Sequence, residues 1–155
     1  MKSVNYIDNM DQWRSEFSFF TPIKVRFSET DMYGHVNNVS AFIYFEEARV
    51  DYLNSLGIFN NLKSEEEAII VADLQCDYLQ QMYFDERLKM YVKVATIGNT
   101  SFDVHYMAVK DNEEIALTGR GRIVYINPQK GRPTPMPDEM KKLLGECPNC
   151  AYANK

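Results

Sequence analysis

Long apolar runs are missing from this chain, and no stretch approaches the roughly 20 residues needed to span a bilayer. The opening residues, Met1 to Asn9, also lack the apolar core of an export signal. A cytoplasmic protein with no membrane partner is therefore expected. Histidine and cysteine are scarce, at 2 and 3 residues. Cys147 and Cys150 have C-x-x-C spacing, yet no second C-x-x-C or H-x-x-x-H completes a four-ligand zinc site. Cys76 lies in a strand pattern and reads as a small core residue. No metal and no cofactor are expected. Acidic residues outnumber basic ones, 22 to 17, and a net charge of −5 argues against a nucleic-acid partner. A Ser-His-Asp catalytic set, internal repeats and low-complexity linkers are lacking as well.

What remains suits one compact domain: 155 residues, 45% hydrophobic and 25% charged. In residues 1–21, Trp13, Phe17 and Phe20 recur at helical spacing and predict a short docking helix, interrupted at Thr21-Pro22. Ile23, Val25 and Phe27 then alternate with polar residues as a half-buried strand. A helix is expected from Asn37 or Asn38, both good caps, to Leu56, with Gly57 as its stop. Val39, Phe42, Phe45, Val50, Leu53 and Leu56 give it a broad apolar arc, as for a helix wrapped by a sheet. Glu46 and Arg49 fall in that arc and are expected to pair with each other.

After the helix the period drops to two. Ala68, Ile70, Ala72, Leu74, Cys76 and Tyr78 mark one strand face, and Leu88, Met90, Val92 and Val94 the next. Phe102, Val104, Tyr106 and Ala108 follow the Gly98-Asn99 turn, and a last long strand runs from Ile115 to Ile126. A short helix is expected from Pro137 to Leu144. Such an order predicts an α+β domain, an antiparallel sheet with its helix on one face.

The most informative stretch is Thr30-Asp31-Met32-Tyr33-Gly34-His35-Val36-Asn37-Asn38. It places a carboxylate a few residues before a helix N-terminus, whose first amides have no partner inside the helix and carry partial positive charge. A carbonyl oxygen that turns negative during a reaction would be stabilised there. From the residues alone Asp31 reads as a capping carboxylate or as a reactive one.

That stretch, with Val25 to Glu29 before it and Glu46-Glu47-Ala48-Arg49 after it, resembles the hotdog-fold acyl-CoA thioesterases of the 4-hydroxybenzoyl-CoA thioesterase type. Asp77-Tyr78-Leu79, Thr100-Ser101-Phe102 and Gly131-Arg132-Pro133-Thr134-Pro135-Met136-Pro137 resemble the family too, so the likeness spans about 22–144. It implies a hotdog domain over 22–144, between an extension (1–21) and a tail (145–155), and a homodimer or dimer of dimers acting on acyl-CoA. It implies that Asp31 is catalytic, that the backbone amide of Asn38 is an oxyanion donor, and that Tyr33, Gly34, Val36, Asn37 and Val39 bind substrate. Some relatives carry histidine at the position of Asn38. Here His35 is a second catalytic candidate, against a packing role at the helix entry.

Chemistry agrees with the resemblance. A thioester expels a thiol of pKa about 8.5, so departure needs little acid help. Asp31 would then activate water or attack the carbonyl itself. His105 is expected at the surface or on the side of a groove, and Arg120, Arg122, Lys130 and Arg132 are candidates for coenzyme A phosphates. The competing functions are a non-catalytic acyl-CoA sensor and, less in keeping with the motif, a hydratase.

Overall fold

The computed structural model describes residues 2–146 together with the backbone of 151–152. In chain order its elements are α1 (Met10–Ser15), β1 (Phe19–Lys24), α2 (Asn38–Ser55), α3 (Ile58–Asn61), β2 (Ala68–Tyr78) and β3 (Arg87–Ile97). Then come β4 (Ser101–Lys110), β5 (Ile115–Asn127), β6 (Arg132–Pro133), α4 (Asp138–Gly145) and β7 (Ala151–Tyr152). The main strands pair antiparallel in the order β1-β3-β4-β5-β2, which leaves β2 and β1 at the two ends. The sheet curls around α2, the hotdog arrangement. No helix among the described residues is long and apolar enough to cross a membrane.

Asn37 caps α2, its Oδ1 accepting the Val39 N–H at 3.1 Å. Gly57 ends the helix in the left-handed conformation, φ 76°, where a side chain would be strained. Between them Ala41, Tyr44, Phe45, Ala48, Tyr52 and Leu53 are buried against Met90, Val92, Val94, Val104 and Tyr106. Phe45 stacks on Tyr106 with centroids 4.4 Å apart. The helix comes this close because β5 has a glycine beneath the ring: a Cβ on Gly119 would lie 2.4 Å from Phe45 Cζ.

The helix departs from its expected wheel. Val39 and Val50 are exposed, and with Ile43 they form an apolar stripe facing away from the sheet. A single sheet covers only one side of so broad an arc. Glu46 and Arg49 form no ion pair with each other: Glu46 points to solvent, while Arg49 Nη1 donates to the Tyr106 hydroxyl at 3.1 Å.

The back of the sheet is covered by the N-terminal segment. Trp13 and Phe17 pack with Met107, Val109 and Ile115, flanked by Tyr6, Ile7, Met10, Leu79 and Tyr91. A buried tryptophan removes on the order of 150–250 Å² from water, about 4–6 kcal/mol as an upper bound at ~25 cal/mol per Å². The docking helix α1 thus exists, but Phe20 lies on β1 instead, half-exposed against Tyr91. Thr21-Pro22 does not interrupt the chain. Pro22 sits inside β1, an edge strand, where its missing N–H costs the ladder little. Phe27 leaves the strand pattern for a 3-10 turn, Phe27–Glu29, and lies exposed against Phe84.

A bulge between Val71 and Asp73 explains one further difference. It inserts an extra residue and reverses the alternation. Ile69 therefore faces the core before it and Leu74 and Cys76 after it, while Ile70 is exposed.

Candidate active site

Asp31 opens a tight turn. Its N–H donates to the His35 carbonyl at 2.8 Å, and its own carbonyl accepts from Gly34 at 3.0 Å. Gly34 adopts φ 79°, the left-handed conformation that lets the chain reverse here. The Asp31 carboxylate closes the same turn, Oδ1 accepting the Tyr33 N–H at 2.9 Å and the His35 N–H at 3.2 Å. Among the described residues, Oδ2 accepts no hydrogen bond. One oxygen fixes the side chain and leaves the other available.

Two neighbours hold this turn. On one side Glu29 is a buried hub: its carboxylate accepts from the Arg26 N–H (2.8 Å), the Arg26 guanidinium (3.2 Å) and the Tyr44 hydroxyl (3.1 Å). Its carbonyl accepts the Asn37 N–H at 2.8 Å. Burial pushes the Glu29 carboxyl up, but the hydrogen bonds from Arg26 and Tyr44 outweigh it and hold the group below the ordinary carboxylate range. On the other side the Val36 N–H donates to the Met82 carbonyl at 2.7 Å, and His35 pairs with Tyr83 in a single bridge.

At the start of α2, Val39 N–H is taken by Asn37 Oδ1 and Ser40 N–H by the Asn37 carbonyl. The Asn38 N–H has no partner among the described residues, the open amide expected of a helix N-terminus. Asn38, Asp31, His35 and Val36 line a cavity of about 340 Å³ whose opposite wall is Tyr78, Leu79, Gln80, Gln81 and Met82. The carboxylate and the residue bearing the open amide thus share one cavity. The His35 ring stands edge-on to Tyr83, centroids 5.2 Å apart.

The other expected binding residues lie elsewhere in a single chain. Tyr33 and Val39 are exposed, Gly34 sits at the turn apex, and Asn37 is spent on the cap; none lines the cavity. The sequence reading missed the wall from Tyr78 to Met82. Its one signal was Tyr78, a tyrosine ending a strand in a segment already resembling the family. Arg120 and Arg122 are not at this cavity. They pair with Asp103, and Arg120 also with Asp73. Arg120 lines instead a second cavity of about 410 Å³ under the N-terminal segment, with Trp13, Lys93 and His105. His105 is the groove-side residue expected, half-buried, and its Nδ1 accepts the Trp13 indole N–H at 2.9 Å. No group of three or more His, Cys, Asp or Glu side chains is placed to hold a metal among the described residues; Cys147 and Cys150 lie outside them.

Comparison with known proteins agrees with this architecture. Residues 25–144 match the model of the thioesterase-like superfamily. The chain is 40% identical over 145 residues to the uncharacterized protein YsmA of Bacillus subtilis (strain 168), covering 93% of this chain and 97% of that one. It is 25% identical over 127 residues to the acyl-CoA thioesterase YbgC of Haemophilus influenzae, covering 81% and 91%. The solved structure of a predicted thioesterase from Bacillus stearothermophilus superposes with a TM-score of 0.75 at 30% identity, over 83% of this chain and 95% of that one. The chain belongs to the thioesterase-like superfamily, and with it to the thioester hydrolases.

Proposed function

We propose that the chain hydrolyses acyl-CoA thioesters, releasing the free acid and coenzyme A, with Asp31 as the catalytic carboxylate and the Asn38 N–H as an oxyanion donor. The observation that carries this reading is the division of labour in Asp31. Oδ1 is clamped by two backbone amides, and Oδ2 accepts no hydrogen bond among the described residues, in a cavity that Asn38 also lines. A thioester carbonyl on the Asn38 amide would gain negative charge where an open N–H and the α2 dipole already favour it. Oδ2 then takes the proton of an attacking water, or attacks the carbonyl and leaves an anhydride for water to open. Coenzyme A departs as thiolate and is protonated by solvent. The H. influenzae relative, named an acyl-CoA thioesterase, supports the substrate class.

The working form in this reading is a homodimer in the cytoplasm. Among the described residues, edge strand β2 has one free side with Ile70 and Val71 exposed on it, and the Val39–Ile43–Val50 stripe is apolar and uncovered. A second copy would satisfy both features.

The competing reading, a non-catalytic acyl-CoA binder, draws on the same Oδ1 bonds, since a merely turn-locking aspartate would make them. A panel of acyl-CoAs from acetyl to palmitoyl, with aromatic members, separates the two. Continuous release of free thiol is expected; saturable binding without thiol release would overturn the hydrolase reading.

A further inference from the structure

The wall opposite Asp31 contributes one side-chain bond to the helix start. Tyr78, the last residue of β2, donates its hydroxyl to the Asn38 carbonyl at 2.6 Å. That carbonyl has a second lone pair for the α2 ladder, so the phenol adds to the helix and does not compete with it. The other ties between the two walls are backbone bonds farther up the loop, at His35 and Val36. Tyr78 alone, among the described residues, reaches across to the residue whose N–H stands open.

From this geometry we infer that Tyr78 is a positioning residue for thioester hydrolysis: it pins Asn38 so that its amide holds a fixed place relative to Asp31. The inference rests on the acyl-CoA thioesterase reading above. Oxyanion donors contribute most when their placement costs no reorganisation during the reaction. A ring 44% exposed on an edge strand contributes little to the core, yet its hydroxyl is fixed at the cavity. Burial, then the neighbouring Cys76, push the phenol well above its ordinary range, so it stays a donor across any working pH.

The test is Tyr78→Phe in the full chain, which deletes only the hydroxyl. Two readouts are taken: kcat and KM on the best acyl-CoA of the panel, and the chemical shift of the Asn38 carbonyl carbon, the group that Tyr78 bonds. A fall in kcat of about threefold to tenfold is expected, the loss of one ordinary hydrogen bond expressed in the transition state. KM should stay within about twofold, because the cavity keeps its shape. The Asn38 carbonyl shift should move as it loses the phenol hydrogen bond. A folded variant with unchanged kcat would overturn the inference, whatever the carbonyl shift does. A fall in thermal stability alone would assign Tyr78 to scaffolding and likewise overturn it. If the wild-type chain released no thiol, the thioesterase reading and the catalytic role would fall together, while the Asn38 carbonyl shift would still report whether the pin exists.

Discussion

The Trp13 indole N–H donates to Nδ1 of His105 at 2.9 Å and ties the N-terminal segment to the back of the sheet. The bond requires neutral His105. Burial, and then the Lys93 charge, push the imidazole down to about 4, while Asp103 opposes and Arg120 adds to the effect. Lys93 is itself buried, paired with Glu16 and set over the Trp13 and Phe17 rings.

A pH dependence follows. With His105 folded near 4 and near 6.5 when released, the released state binds the proton more readily between those values. The stabilisation is complete above about 6.5 and is lost as pH falls toward 4, on the order of 3 kcal/mol at most. Trp13 is the single tryptophan, so its emission reports the segment directly. A red shift on acidification through this window is expected. His105→Asn, which keeps an acceptor but does not titrate, should flatten the response; an identical shift in that variant would remove His105 as the cause.

Gly119→Ala should destabilise the fold. The new Cβ would meet Phe45 Cζ at 2.4 Å, and the ring has Tyr106 stacked against it. Overpacking of this kind costs about 1–3 kcal/mol. For a chain this size that is roughly 2–4 °C in Tm per kcal/mol. An unchanged melting temperature would mean that the helix slides freely over β5.

The dimer proposal is tested at the β2 edge. Light scattering of the wild type should give twice the chain mass. Ile70→Lys, placed beside Val71 on the exposed stretch, should shift the protein toward monomer, since charge on an edge blocks pairing. Wild-type protein running as a fully active single chain would rule out the dimeric form.

The parts of this structure written in local periodicity were legible from the sequence. Phe102, Val104, Tyr106 and Ala108 face the core as their alternation implies, and Asn37 and Gly57 bound α2. Long-range choices were not. The alternation of β2 breaks at a bulge that has no composition signal, which sent Ile70 outward in place of Ile69. Arg49 had two reachable partners, and the hydroxyl of Tyr106, distant in sequence, won over Glu46. The site divides in the same way. Asp31 and Asn38 lie within one short motif, whereas the wall from Tyr78 to Met82 meets them only after the sheet curls.

Asp31→Asn is the sharpest test of the chemistry, because the structure separates its two roles by atom. Asparagine retains an Oδ1 to accept from the Tyr33 and His35 amides, so the turn should survive and the fold with it. What it loses is the charge and basicity of the second oxygen. If that oxygen activates water or attacks the thioester, kcat should fall on the order of 10²-fold or more, the scale of general-base contributions. Acyl-CoA binding should persist, since the cavity walls and the Asn38 amide are untouched. His35→Ala gives the comparison. That ring packs edge-on against Tyr83, so a smaller loss of activity is expected, through the loop. Near-normal kcat in a folded Asp31→Asn protein would return Asp31 to turn-locking alone and leave the cavity without its catalytic carboxylate.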